Sequence, residues 1–177
     1  RELMELHTLG VDGGYTQKDV MELARCLTGW KVKDHFWMGE FTFDKNIHDT
    51  GTKNILGLSI QPSGVEEAEQ VIEMLVKHPS TARFVSTKLA RRFLADDPPQ
   101  EIIEKAAQTF LVTNGDIKSV LRVILFDGLP LAQPKYKRPV NFLLSALRML
   151  NVETDGIALH DYLVRMGQLY FNWPTPD

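Results

Sequence analysis

Residues 63–94 read SGVEEAEQVIEMLVKHPSTARFVSTKLARRFL, and the proline at position 79 decides how they fold. Before it, Ala68, Val71, Ile72 and Leu75 recur at helical spacing. Ser63 opens that run, with Glu66 three residues on in the arrangement of a capping box. Pro79 lacks an amide hydrogen, so it stops the helix near His78. A second helix then runs from about Ser80 to Leu94.

Working outward, the same signals repeat. Thr16 has the chemistry of an N-cap with Asp19 as its partner, and Val20, Leu23, Ala24 and Leu27 follow at helical spacing until Gly29. Residues 1–8 read as the last turns of a helix carrying Leu3 and Leu6, ending at Gly10. Downstream, Pro98 and Pro99 open a helix with Ile102, Ile103, Ala106 and Phe110 inward, and Asp116 caps another that reaches about Phe126. Pro139 suits the first position of a helix carrying Phe142, Leu143, Ala146, Leu147 and Leu150. A last one spans from about Gly156 to Leu169. Residues 34–58 alone break the pattern. HFWMGEFTFD holds two short aromatic runs around a glycine, which suits a β-hairpin, and KNILGLSI offers a third short strand. The expectation is a mainly α, single helical domain over 1–177, of about seven helices, with a small antiparallel β-hairpin insertion at 34–58.

The chain has 177 residues, 44% hydrophobic and 24% charged, the balance of an ordinary globular protein. A net charge of −3 argues against a dedicated nucleic-acid binder, so no nucleic acid is expected as partner. The apolar runs fall short of the roughly 20 residues that span a bilayer. One cysteine, Cys26, excludes an internal disulfide and a cysteine-based zinc site, and reads as a small core residue beside Leu27. The opening RELMELHTLG starts inside a helix and the closing YFNWPTPD is irregular, so the chain reads as an internal fragment of a longer protein. Its expected partners therefore include the N- and C-terminal segments of the same protein.

Four stretches in this order carry a family resemblance. They are RELMELHTLGVDGGYTQKDVMELARCLTGW, FTFDKNIHDTGTKNILG, HPSTARFVSTKLARRFLADDPP and KRPVNFLLSALRML. Together they resemble the bacterial family known as domain of unknown function 1800, over nearly the whole chain. The resemblance implies a bacterial source and an exported, periplasmic or envelope-associated protein. It implies no known reaction and no established catalytic residues. Glu2 with Glu5, Trp30, and His48 with Asp49 match recurring positions of the family pattern.

The stretch His48-Asp49-Thr50-Gly51 also spells the triplet of aspartic proteases. That chemistry needs two aspartates sharing a proton on a β scaffold, whereas here the triplet occurs once, among helices. Asp and Thr bond readily to nearby backbone groups and Gly accepts unusual φ, so HDTG reads first as a turn. His48 and Asp49 remain the candidate catalytic residues. Glu2 and Glu5 are three apart on one helix face and, joined to His48 or Asp49, would form a candidate divalent-metal set. The plain alternative for the glutamates is a solvated or ion-paired helix face.

Arg83, Lys88, Arg91 and Arg92 form a basic stretch, with Lys88, Arg91 and Arg92 on one side of the helix. They could hold an anionic ligand or pair internally with Asp96, Asp97 or Glu101. KYKRP before Val140 is a second basic cluster. Trp30, Phe36, Trp37, Phe41 and Phe43 crowd the insertion, where Trp30 and Trp37 could stack on a sugar, or the set could pack the small sheet onto the helices. Two functions follow: a non-catalytic binding or assembly module at the cell envelope, or a metal-assisted hydrolase or oxidoreductase around His48 and Asp49. The second requires Glu2 or Glu5 to reach His48; the first requires exposed aromatics and no such convergence.

Overall fold

A computed structural model describes residues 1–33 and 39–172. It is mainly helical with two small antiparallel ladders. The chain opens with a π-helical segment, Leu3–Thr8, followed by α1 (Gln17–Cys26). Four short strands come next: β1 (Trp30–Val32), β2 (Phe41–Phe43), β3 (Lys53–Ile55) and β4 (Leu58–Ile60). The helices α2 (Glu66–Val76), α3 (Pro79–Phe93), α4 (Gln100–Val112) and α5 (Ile117–Gly128) follow, with a 3-10 turn at Leu129–Leu131. Then come α6 (Pro139–Met149) and α7 (Ile157–Arg165). The chain divides into two compact units, Arg1–Ala132 and Gln133–Asp177.

The helix starts follow local chemistry. The Asp19 amide donates to Thr16 Oγ1 at 3.3 Å and the Thr16 amide to Asp19 Oδ2 at 2.7 Å, closing the capping box read from the sequence. Asp116 accepts from the Lys118 and Ser119 amides at the start of α5. Pro79 lies inside α3, at its first position, and His78 Nδ1 accepts from the Ser80 amide at 3.1 Å. The start of α2 departs from expectation. The helix begins at Glu66, and Glu67 rather than Glu66 receives the Ser63 and Gly64 amides, at 3.0 and 3.1 Å.

The β insertion is wider than residues 34–58. Trp30 pairs with Phe43 and Val32 with Phe41, while Lys53 pairs with Ile60 and Ile55 with Leu58. KNILGLSI therefore folds on itself as a second hairpin instead of adding a third strand to the first. Its two-residue turn puts both Leu56 (φ 50°) and Gly57 (φ 81°) in the left-handed region, as the right-handed twist of a tight hairpin demands. Leucine is a costly choice there. Its amide, however, donates to Asp19 Oδ1 at 2.7 Å, and its side chain packs on the core. One step along β3, the Asn54 amide donates to Glu22 Oε2 at 2.9 Å. The outer side of β3 is thus satisfied by carboxylates of α1.

Two apolar cores form within Arg1–Ala132. One joins Met4, Leu23, Cys26, Ile55, Val71 and Leu75, from the opening segment, α1, β3 and α2. The other joins Ala82, Leu94, Ile103, Phe110, Val120 and Ile124, from α3, α4 and α5. In the unit Gln133–Asp177, Leu163 is the one buried hydrophobic side chain among the described residues. The apolar residues carried by α6 are not buried: Phe142 is 54% and Leu150 72% exposed.

Candidate functional site

The HDTG turn leads from β2 into β3 and lies against the end of α1 and the start of α2. Gly29, at φ +86°, turns the chain out of α1; a Cβ there would lie 2.8 Å from the Asp44 carbonyl and 3.2 Å from His48 Cβ. This close approach brings Thr28 beside His48. The Thr28 hydroxyl donates to the Arg25 carbonyl at 2.6 Å and accepts from the Asp49 amide at 2.8 Å. The turn is therefore stitched to the last turn of α1 through one hydroxyl.

His48 points inward, with 4% of its side chain exposed. Its Nδ1 lies 2.8 Å from the Thr28 carbonyl and its Nε2 lies 2.9 Å from Glu67 Oε1. The Thr28 hydroxyl proton is spent on Arg25, so each ring nitrogen faces an oxygen that can only accept. Both hydrogen bonds form together when both nitrogens carry hydrogen. The ring also meets the Phe43 ring edge-on, at 5.2 Å between centroids.

Glu67 and Lys53 complete the arrangement, and neither side chain is exposed. Lys53 Nζ donates to Glu67 Oε2 at 2.5 Å and to the Asp49 carbonyl. Glu67 Oε1 accepts from His48 and from the Ser63 and Gly64 amides. Burial raises the Glu67 pKa, but the bonds from Lys53, His48 and the two amides outweigh it and hold the carboxyl at about 2. Nearby, burial, with the Glu67 charge adding to it, pushes the Cys26 thiol up to about 11, which keeps it a neutral core group.

Asp49 faces the other way, toward Arg25. The Arg25 Nε and Nη2 hydrogens donate to Asp49 Oδ2 and Oδ1 at 2.9 and 3.0 Å, a two-pronged pair. Arg25 Nη1 donates to Glu22 at 2.9 and 3.0 Å. The Gly51 amide donates to Asp49 Oδ1 at 2.8 Å, closing a tight turn. Arg25 first, then the Gly51 amide, hold the Asp49 carboxyl well below the usual carboxylate range. Two cations (Arg25, Lys53), three carboxylates (Glu22, Asp49, Glu67) and the His48 ring thus close a network over α1, the turn, β3 and α2.

The other candidates lie elsewhere. Glu2 is exposed and Glu5 pairs with the Arg1 guanidinium at 3.6 Å, while the partners of His48 are Thr28 and Glu67. Among the described residues, no group of three or more His, Cys, Asp or Glu side chains is placed to hold a metal ion. Lys88, Arg91 and Arg92 are exposed on α3, with Lys88 Nζ 5.2 Å from the centre of the Phe84 ring. Trp30 meets Phe41 edge-on at 5.0 Å and packs on the first core. Its indole nitrogen is buried and finds no partner among the described residues. Trp37 lies outside the described residues.

Sequence reasoning missed Glu67, Lys53 and Arg25, yet signals for two of them were present. Glu67 stands four residues before Val71 and eight before Leu75, on the apolar face of α2. Lys53 shares a strand face with Ile55 by the period of two. An inward carboxylate and an inward ammonium are each costly alone, and together they predict one another.

Fold and site together define a mainly helical protein whose HDTG turn is bolted to its helices by buried ion pairs. The chain belongs to the family described as protein of unknown function (DUF1800), whose family model matches residues 1–177. Among curated proteins and among solved structures, nothing matches the chain. No helix of the described residues is long and apolar enough to cross a membrane.

Proposed function

We propose that this chain is a non-catalytic binding or assembly module of a bacterial, exported or envelope-associated protein. One observation carries the reading: the side chains best suited to chemistry are paired within the fold, while basic and apolar side chains face out. His48 and Asp49 spend their polar atoms on Thr28, Glu67, Arg25 and Gly51. Lys88, Arg91 and Arg92 face solvent on α3, and Val32 and Phe41, a cross-strand pair, are 64% and 57% exposed. The basic side chains of α3 suit an anionic ligand, with guanidinium groups to grip acid oxygens, and the exposed ring of Phe41 suits stacking on a sugar face.

The test is a thermal-shift survey of acidic sugars, neutral sugars and simple anions, repeated with Lys88, Arg91 and Arg92 all changed to alanine. Stabilisation by an acidic sugar that disappears in the triple variant supports the reading. No stabilisation by any of them counts against it. A turnover that His48→Ala abolishes in a folded protein would replace it with an enzymatic one.

A further inference from the structure

Among the described residues of Arg1–Ala132, the fully buried charges, Lys53 and Glu67, lie together in the half that holds one of its two cores. Among the described residues the buried polar side chains are Thr8, Lys53, Glu67, Thr81 and Ser86, so α3, α4 and α5 enclose no buried charge. The two cores share no residue. Where the halves meet, contacts fall on the first turns of α3. The Thr81 hydroxyl donates to the Leu75 carbonyl at 2.6 Å, the Ser80 hydroxyl donates to the Gly13 carbonyl at 3.3 Å, and the Phe84 ring covers Gly10.

Glu67 is the anion on which the first half closes. It faces His48 from the turn and Lys53 from β3, and it receives two amides ahead of its own helix. Asp49, the other carboxylate near Lys53 at 3.8 Å, is held by Arg25, which Glu22 shares; Cys26 of α1 is neutral. Neutralising Glu67 therefore leaves the Lys53 ammonium enclosed without its counter-charge and the His48 ring without its carboxylate partner. An enclosed cation of that kind is relieved by letting water in.

We infer that the half built from the opening segment, α1, the two hairpins and α2 opens as a unit of its own when the Glu67 carboxylate is neutralised, while α3, α4 and α5 stay folded. The lever is one carboxylate, and the elements it frees are those that carry the HDTG turn. The inference does not depend on the binding function proposed above.

The experiment is amide hydrogen exchange on the full chain at pH 7, comparing the native protein with Glu67→Gln. The expected result is exchange faster by at least about tenfold in α1, β3 and α2, with α4 and α5 within about twofold. Equal acceleration in both halves, or none in either, overturns the inference. If Glu67→Gln does not fold, native-state exchange of the unaltered chain in rising sub-denaturing urea decides. Amides of α1 and α2 should then open through a shallower urea dependence than those of α4 and α5. A single common dependence overturns the inference.

Discussion

Lys53 Nζ and Glu67 Oε2 lie 2.5 Å apart, and neither side chain reaches solvent. An ion pair in that position contributes little net stability against a well-packed apolar pair, because both charges were removed from water to make it. Breaking it is another matter. Glu67→Gln should lower stability by about 3–5 kcal/mol, and Lys53→Met by a similar amount, because each leaves one enclosed charge behind. The double variant should lose clearly less than the two losses added. Urea unfolding of the four proteins measures this; simple additivity would mean that the pair is not coupled.

Acid should act through the same carboxylate. Glu67 titrates at about 2 in the folded chain against an ordinary 4.5. A depressed carboxyl contributes stability that is complete above the unfolded value and lost as pH falls through the folded one. The urea midpoint should therefore hold steady down to about pH 5 and fall between about pH 4.5 and 2. Asp49, also held low, adds in the same sense. In Glu67→Gln the fall should be shallower; an unchanged profile would remove Glu67 as its source.

The HDTG turn should fail by a steric route as well as an electrostatic one. A Cβ on Gly51 would lie 2.6 Å from Arg25 Nη2 and 3.2 Å from Asp49 Oδ1. Gly51→Ala should push the guanidinium off Asp49 and resemble Asp49→Asn. Both should speed exchange of the Asp49 and Gly51 amides while leaving α4 and α5 unchanged. Arg25 and Asp49 are each one-third exposed, so added salt should narrow the difference from the native protein.

Gly29→Ala offers a test free of charge effects. Its φ of +86° and the 2.8 Å approach to the Asp44 carbonyl leave no room for a methyl group. The cost should be at least about 1–2 kcal/mol from backbone conformation alone. The variant should also loosen His48, whose Cβ borders the same space. A thermal midpoint equal to that of the native protein would contradict the tight crossing.

Most helices could be read from the sequence because their signals are local. Thr16 with Asp19, Pro79, Pro99, Asp116 and Pro139 each act within a turn of the helix they start, so no tertiary knowledge was needed to place them. The second hairpin was harder to see, because its turn carries leucine where asparagine is favoured. The fold accepts Leu56 there because Asp19, far away in sequence, binds its amide. At the site, His48 and Asp49 stood out by residue type, but their partners did not. Which carboxylate meets His48 depends on how α2 packs against the turn, and sequence spacing does not carry that. The exposed face of α6 makes a related point: its period is that of an amphipathic helix, and periodicity names the apolar side without naming what covers it.

Asp19 and Glu22, one turn apart on α1, hold the amides of Leu56, in the hairpin turn, and Asn54, two residues before it on β3. A helix turn and a strand repeat do not share a length, so the two carboxylates grip together only when β3 sits at one setting along α1. The helix thus acts as a gauge for the strand. It also closes the edge by which a three-residue strand could recruit a strand from another molecule. On the β3 side of this small sheet, the edge is closed by two acidic side chains of a helix and not by the strand itself.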